Sequence, residues 1–125
     1  MLQSMLVIAG GGATGAVLRW LLSLGLNPLS PILPLGTLTA NLLGGYLIGV
    51  VLSLLQALPD LNPLWRLFLV TGFLGGLTTF STFTSEIMLM LEQQRLYLAL
   101  FTIALHVAGS LLAMAVGIWT LEWWR

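Results

Sequence analysis

The chain has 125 residues, 58% of them hydrophobic and only 6% charged, with a formal net charge of zero; its mean hydropathy is +1.04. Soluble domains carry roughly a quarter of charged residues, so this composition describes an integral membrane protein. Four acidic side chains against four arginines leave no basic patch for nucleic acid, and the absence of cysteine excludes disulfides and thiolate metal sites.

A helix needs about 20 residues to cross about 30 Å of hydrocarbon. That window fits four times, near 3–24, 34–57, 64–92 and 96–121. The expected architecture is therefore all-α, a single four-helix transmembrane domain over 1–125. The first segment has no basic n-region, and its apolar stretch exceeds the roughly 7–15 residues of a signal core, so it is expected to stay with the mature protein as a span. Gly11 and Gly15 form a small-xxx-small pair there, a pattern that lets helix backbones approach in a bilayer. Arg19 lies near the end of the segment, where two readings are open: snorkelling to the interface, or lining an aqueous vestibule that attracts anions.

Asn27-Pro28, Pro31 and Pro34 punctuate the first connection. Within the second segment, Thr37, Asn41 and Gly45 follow one another at one-turn spacing, and Gly45 pairs with Gly49. A buried amide needs partners, so Asn41 either braces a neighbouring helix or offers its N–H groups to a permeant anion.

Pro59-Asp60 and Asn62-Pro63 lead into the third segment, which opens on Trp65 and Arg66 and contains the pair Gly72 and Gly76. Glycine costs backbone entropy in a helix and threonine hydroxyls compete for backbone carbonyls, so Gly75-Gly76 followed by Thr78-Thr79 predicts a helix broken near Gly75–Thr79. Unwound backbone at membrane depth is tolerated only when buried in protein or lining a cavity. Its freed carbonyls are ligands for a small hard cation, and the second half-helix begins with its positive dipole end at mid-membrane.

The run Thr78-Thr79-Phe80-Ser81-Thr82-Phe83-Thr84-Ser85-Glu86 places hydroxyls and a carboxyl where a lipid-facing helix carries aliphatic residues, which marks a conduit or binding site. At about 100° per residue from Phe80, Phe83 falls near 300°, while Thr78, Ser81, Thr82 and Ser85 fall between about 100° and 200°. The phenyl and hydroxyl faces are nearly opposite. Either Phe80 and Phe83 pack an interface, or each copy of the helix stands between two conduits, which an antiparallel dimer provides. Hydroxyls, amide N–H groups and the positive edges of phenyl rings suit a small anion held weakly at several sites, as conduction requires. Glu86 has a sign that argues against a purely passive anion attractor.

Glu92 to Arg95 forms the last connection. On segment four, Thr102, His106 and Ser110 share one face, and Gly109, Ala113 and Gly117 make a packing face. The next position on the polar face, Met114, is apolar. A lone membrane histidine is more often a hydrogen-bonded structural residue than a ligand or proton relay, and no second His or Cys exists for a transition-metal site. Arg66 and Arg125 lie on the N-terminal side and Arg19 and Arg95 toward the other, a two-against-two balance on which the positive-inside rule gives no orientation. Dual topology is the sharper reading, with copies inserting both ways and pairing antiparallel.

Together these residues give the chain a resemblance, over essentially its full length, to the Fluc (CrcB) family of fluoride channels. It is carried by Gly11-Gly12-Ala13-Thr14-Gly15-Ala16 with Arg19-Trp20, by Gly36-Thr37 and Asn41, by the long motif Thr71 to Phe83, and by His106 to Ser110. Leu74 stands where many relatives have cysteine and Thr84 where many have serine. The resemblance implies an antiparallel dual-topology homodimer in a bacterial inner membrane, exporting fluoride passively through two pores. Phe80 and Phe83 would be ring-edge ligands; Asn41, Ser81, Thr82, Ser85 and Ser110 the hydrogen-bonding track; Glu86 would lie beside the anion path and Arg19 would line the vestibule. Backbone carbonyls of Gly75 and Thr78 from both copies would hold a central structural sodium. The main alternative, a small dual-topology drug/proton antiporter, needs a carboxylate typically in the first span, which has none. A non-transporting assembly subunit would explain the glycines but not the hydroxyl run.

Overall fold

A computed structural model describes all 125 residues, and every regular element in it is helical. Helix α1 covers Leu2–Leu26 and α2 Leu35–Ala57. The third span, Pro63–Glu92, is made of two helices in line. The first, α3, runs over 63–77: an α-helical turn at Pro63–Arg66, a π-helical stretch at Leu67–Leu74 and a last turn at Gly75–Leu77. The second, α4, covers Phe80–Glu92, and α5 covers Leu96–Trp123. Four spans are long and apolar enough to cross a membrane, in the order the hydropathy predicts, so this is a multi-pass membrane protein.

The three connections each show a local cause. Asn62 caps α3 by accepting the Leu64 N–H on its Oδ1 at 3.0 Å, with Pro63 at the first helical position. Asn27 Oδ1 accepts the Gly36 N–H at 2.8 Å, tying the α1–α2 connection to the first turn of α2. At the α4–α5 turn, Gln94 takes a φ of 59°, the left-handed conformation that closes a helix in few residues.

The glycine pairs become the helix contacts. α1 packs on α3, and α2 packs on α5. A Cβ at Gly11 would come within 2.5 Å of the Phe68 carbonyl oxygen, and one at Gly72 within 2.8 Å of the Ile8 carbonyl oxygen. The second pair seats α2 on α5, where a Cβ at Gly45 would meet the Ser110 carbonyl oxygen at 2.7 Å and one at Gly49 the backbone of Met114 and Ile118. Backbone against backbone is the attraction available where lipid removes the hydrophobic drive. Arg125, at the chain's end, donates to the Ser53 carbonyl of α2 at 2.7 Å, fixing both on the same side of the bundle.

The break expected near Gly75–Thr79 is present and falls at the far end of that range: Gly75 and Gly76 lie in the last helical turn of α3, and the interruption is at Thr78 and Thr79, whose φ/ψ of −81/153° and −147/123° are extended. Gly76 is small for another reason: a Cβ there would strike the Gly12 carbonyl of α1. Extended torsions suit β-branched threonine, which loses rotamer freedom in a helix. Thr78 consequently sits outside α4, and its place on the helical wheel with Ser81, Thr82 and Ser85 does not apply.

Candidate functional site

The break is best read as an account of backbone hydrogen bonds. In an unbroken helix the carbonyls of residues 75 to 79 would accept the N–H groups four residues on. Here the Thr79 N–H turns to Asn41 Oδ1 at 2.8 Å, so the Gly75 carbonyl loses that donor. The Gly76 carbonyl accepts Arg19 Nε–H from α1 at 3.1 Å instead. The Thr82 N–H goes to Thr79 Oγ1 at 3.2 Å, an N-cap for α4, and so leaves the Thr78 carbonyl. The Thr79 carbonyl accepts Asn41 Nδ2–H at 3.0 Å. Asn41 thus pairs with Thr79 as one peptide pairs with another across a sheet, satisfying backbone groups that hydrocarbon could not.

Beside the break lies a cavity of about 430 Å³, bounded by Gly44, Gly45 and Asn41 of α2, Gly75, Thr78 and Thr79 of the break, Phe80 and Phe83 of α4, and His106 and Ser110 of α5. Its floor is close-packed because Gly44 admits the Thr78 methyl group where a Cβ would collide with it. Phe83 is 6% exposed and lies against the His106 ring, centroids 4.4 Å apart, whereas Phe80 is 75% exposed and turned outward, 5.6 Å from Phe83. The cavity wall is therefore finished by the chain on its Phe83 side and left open on its Phe80 side.

Residues 6–118 match the family described as CrcB-like protein, Camphor Resistance (CrcB). A protein of Chromobacterium violaceum named fluoride-specific ion channel FluC is 55% identical over 125 residues, covering 100% of this chain and 99% of that one. Proteins with the same name from Tolumonas auensis, 55% identical over 122 residues and 98% of this chain, and from Albidiferax ferrireducens, 56% identical over 120 residues and 96% of this chain, are similar over 96% and 92% of their own lengths. The chain belongs to the CrcB family. Its relatives are named as ion channels, so this is a transport protein and not an enzyme.

Of the residues that the CrcB resemblance singles out, the structure brings Asn41, Phe80, Phe83 and Ser110 together on one cavity, with the Gly75 and Thr78 backbone. It does not bring Ser81, Thr82, Ser85, Glu86 or Arg19 onto that wall. Ser81 and Ser85 lie on the outward side of α4, away from buried Phe83, as their wheel angles require. Ser85 Oγ donates to the Thr82 carbonyl at 2.9 Å, so its proton serves its own helix. Glu86 accepts a short hydrogen bond from Thr37 Oγ1, which fastens α4 to α2, and its other oxygen, Oε2, is buried without a partner. Half-buried, Arg19 caps the carbonyl end of α3, where a cation complements the helix dipole. Between the two readings of Asn41, the geometry is that of a brace, since its two N–H groups point to the Thr79 carbonyl and to His106 Nδ1 at 3.0 Å.

Thr79 is the residue that sequence reasoning passed over. Its signal was local, a threonine directly before a helix that begins Phe-Ser-Thr, the N-cap position. The pairing of His106 with Asn41 and Phe83 had no such signal. For a sodium ion, the donor set fits in kind: carbonyl oxygens are hard ligands, and the Gly75 and Thr78 carbonyls are two from which the break diverts the helical N–H. Two oxygens from one chain fall short of a full coordination shell.

Proposed function

We propose that this protein is a fluoride-selective channel that exports fluoride passively across a bacterial inner membrane. The observation that carries this reading is the cavity at the break, in which phenyl rings and neutral donors converge without a lysine or arginine on the wall. A small anion entering it exchanges water for N–H and O–H donors and for the positive edges of Phe80 and Phe83, and leaves again because nothing there traps it. The start of α4 adds the positive end of a 13-residue helix beside the same cavity. Most of the relatives' length is matched, and their printed name, fluoride-specific ion channel, supplies the identity of the anion.

The working unit in this proposal is an antiparallel, dual-topology homodimer with two pores. Support comes from the even division of the arginines and from Phe80, which points out of its own chain. A second copy would close the open side of the cavity and bring Ser81, Thr82 and Ser85 to the other conduit, with Ser110 further along the first. Arg19 would attract anions to the vestibule as well as cap α3, and Glu86 would stand beside the path. The Gly75 and Thr78 carbonyls of both copies would hold a structural sodium, whose charge steadies the paired breaks. Membrane lipid covers the remaining faces.

The experiment is efflux from liposomes loaded with fluoride or chloride. Fast fluoride release with little chloride release supports the proposal. Equal release of both defeats the selectivity, and proton-coupled uptake of an organic cation would favour the antiporter.

A further inference from the structure

Where α1 and α3 begin, the chain holds a second cavity, of about 340 Å³, lined by Val7 of α1 and by Asn62, Leu64, Trp65 and Phe68 at the start of α3. It shares no residue with the cavity at the break. Val7 lies five residues beyond Leu2 and Phe68 five beyond Pro63, the first residues of their spans. At about 1.5 Å of rise per residue, the groove reaches about 8 Å below the point where both helices enter the membrane. Four of its five lining residues are apolar, and the Trp65 and Phe68 rings, 6.2 Å apart at 83°, meet edge to face to form one wall.

The mouth of the groove is polar. Asn62 Oδ1 accepts the Leu64 N–H at 3.0 Å, which fixes the amide and leaves both Nδ2 protons without a partner in the chain. Asp60 stands two residues before Asn62 and Arg66 four residues after it; both are exposed, and neither enters a salt bridge within the chain. A carboxylate, an amide donor and a guanidinium therefore border one apolar groove at the level where a bilayer changes from headgroups to hydrocarbon.

A ligand that satisfies all of these groups is amphiphilic and carries both signs of charge. Its phosphate accepts from the Asn62 amide and the Arg66 guanidinium, a group whose planar fork suits phosphate oxygens. Its ammonium donates to the Asp60 carboxylate, and one acyl chain lies along Val7, Trp65 and Phe68. A lipid with net negative charge would meet Asp60 as a like charge, and a trimethylated headgroup has no N–H to donate. We propose that this groove binds one phospholipid of the phosphatidylethanolamine class, held by Asn62 and Arg66 at the phosphate and by Asp60 at the ammonium. The site is independent of the fluoride reading. In the antiparallel dimer proposed above, the two copies present it to opposite leaflets, so each leaflet supplies one lipid.

The test is native mass spectrometry of the full-length protein released from micelles that contain equal amounts of dioleoyl phosphatidylethanolamine, phosphatidylcholine and phosphatidylglycerol. Identical acyl chains make the headgroup the only difference. The expected result is one retained phosphatidylethanolamine per chain, in preference to the other two. Equal retention of all three, or preference for phosphatidylglycerol or phosphatidylcholine, overturns the proposal. Asp60→Asn, an exposed change, should reduce the preference for phosphatidylethanolamine over phosphatidylcholine by about threefold, as for one exposed ion pair. Arg66→Gln should weaken retention of both equally, and an unaltered lipid pattern in both variants would contradict the assignment of the headgroup. Val7→Trp fills the groove and should abolish lipid retention while the four helices stay folded. Retention unchanged in Val7→Trp, with or without dissociation of the dimer, would show that lipid does not occupy the groove.

Discussion

Replacing Asn41 with leucine, a side chain of similar size, removes three hydrogen bonds and leaves the packing volume nearly unchanged. The bonds lost are those to the Thr79 carbonyl at 3.0 Å, from the Thr79 N–H at 2.8 Å and to His106 Nδ1 at 3.0 Å. Interhelical hydrogen bonds in bilayers average about 0.6 kcal/mol each, which sets a lower figure of about 2 kcal/mol for the three. The upper figure comes from what is left behind: Thr79 is 9% exposed, so water cannot replace the lost partners, and each buried backbone group left unsatisfied costs about 1–3 kcal/mol. With two such groups, the N–H and the carbonyl of Thr79, the expected destabilisation is about 2–6 kcal/mol, which at its lower end is a roughly 30-fold shift in the folding equilibrium. Equilibrium unfolding in mixed micelles, titrated with a denaturing detergent, measures it. A loss below about 0.5 kcal/mol with fluoride efflux intact would refute the view that Asn41 holds the break together.

Other consequences follow from the same contacts. Leucine at Gly15, where a Cβ would strike the Phe73 carbonyl, should abolish assembly of α1 with α3, while leucine at Gly10, which has nothing within 4 Å, should leave the folded fraction in detergent unchanged. Thr79→Ala should cost about 1 kcal/mol by removing the N-cap of α4, and Thr79→Ser should restore most of it in the same unfolding titration. Exchanging sodium for a large organic cation should weaken the proposed dimer, measured by single-molecule subunit counting in dilute liposomes; an unaffected dimer would speak against cation binding by the Gly75 and Thr78 carbonyls. Phe80→Ile and Phe83→Ile should each impair fluoride efflux, the second also loosening the contact with His106, and wild-type efflux in both would return the rings to a packing role.

The spans and their order were legible in the sequence because hydrocarbon thickness imposes one length on every crossing helix. The pairs Gly11 and Gly15, Gly72 and Gly76, and Gly45 and Gly49 likewise named the interfaces, since in lipid close backbone approach needs small residues at four-residue spacing. Gly75-Gly76 misled for the same reason that these pairs helped. A glycine can serve packing or flexibility, and only the neighbouring helix, with Gly12 lying over Gly76, tells which. Within the expected range Gly75–Thr79, the break is placed at Thr78-Thr79 by a partner 38 residues away in sequence, Asn41, whose pairing has no periodic signature. Ser81 and Ser85 were correctly separated from the phenyl face by helical angle, because α4 is regular from Phe80 onward. Arg19 was read by its depth alone, and depth does not reveal that a carbonyl freed at Gly76 waits across the helix interface.

The central claim is that this chain conducts fluoride selectively, and the direct test is parallel efflux of fluoride and chloride from liposomes containing purified protein at about one dimer per vesicle. The account predicts rapid emptying of fluoride from the occupied vesicles and chloride retention close to that of empty ones. Matching fluoride and chloride rates, or no fluoride release from vesicles that contain folded protein, would contradict it.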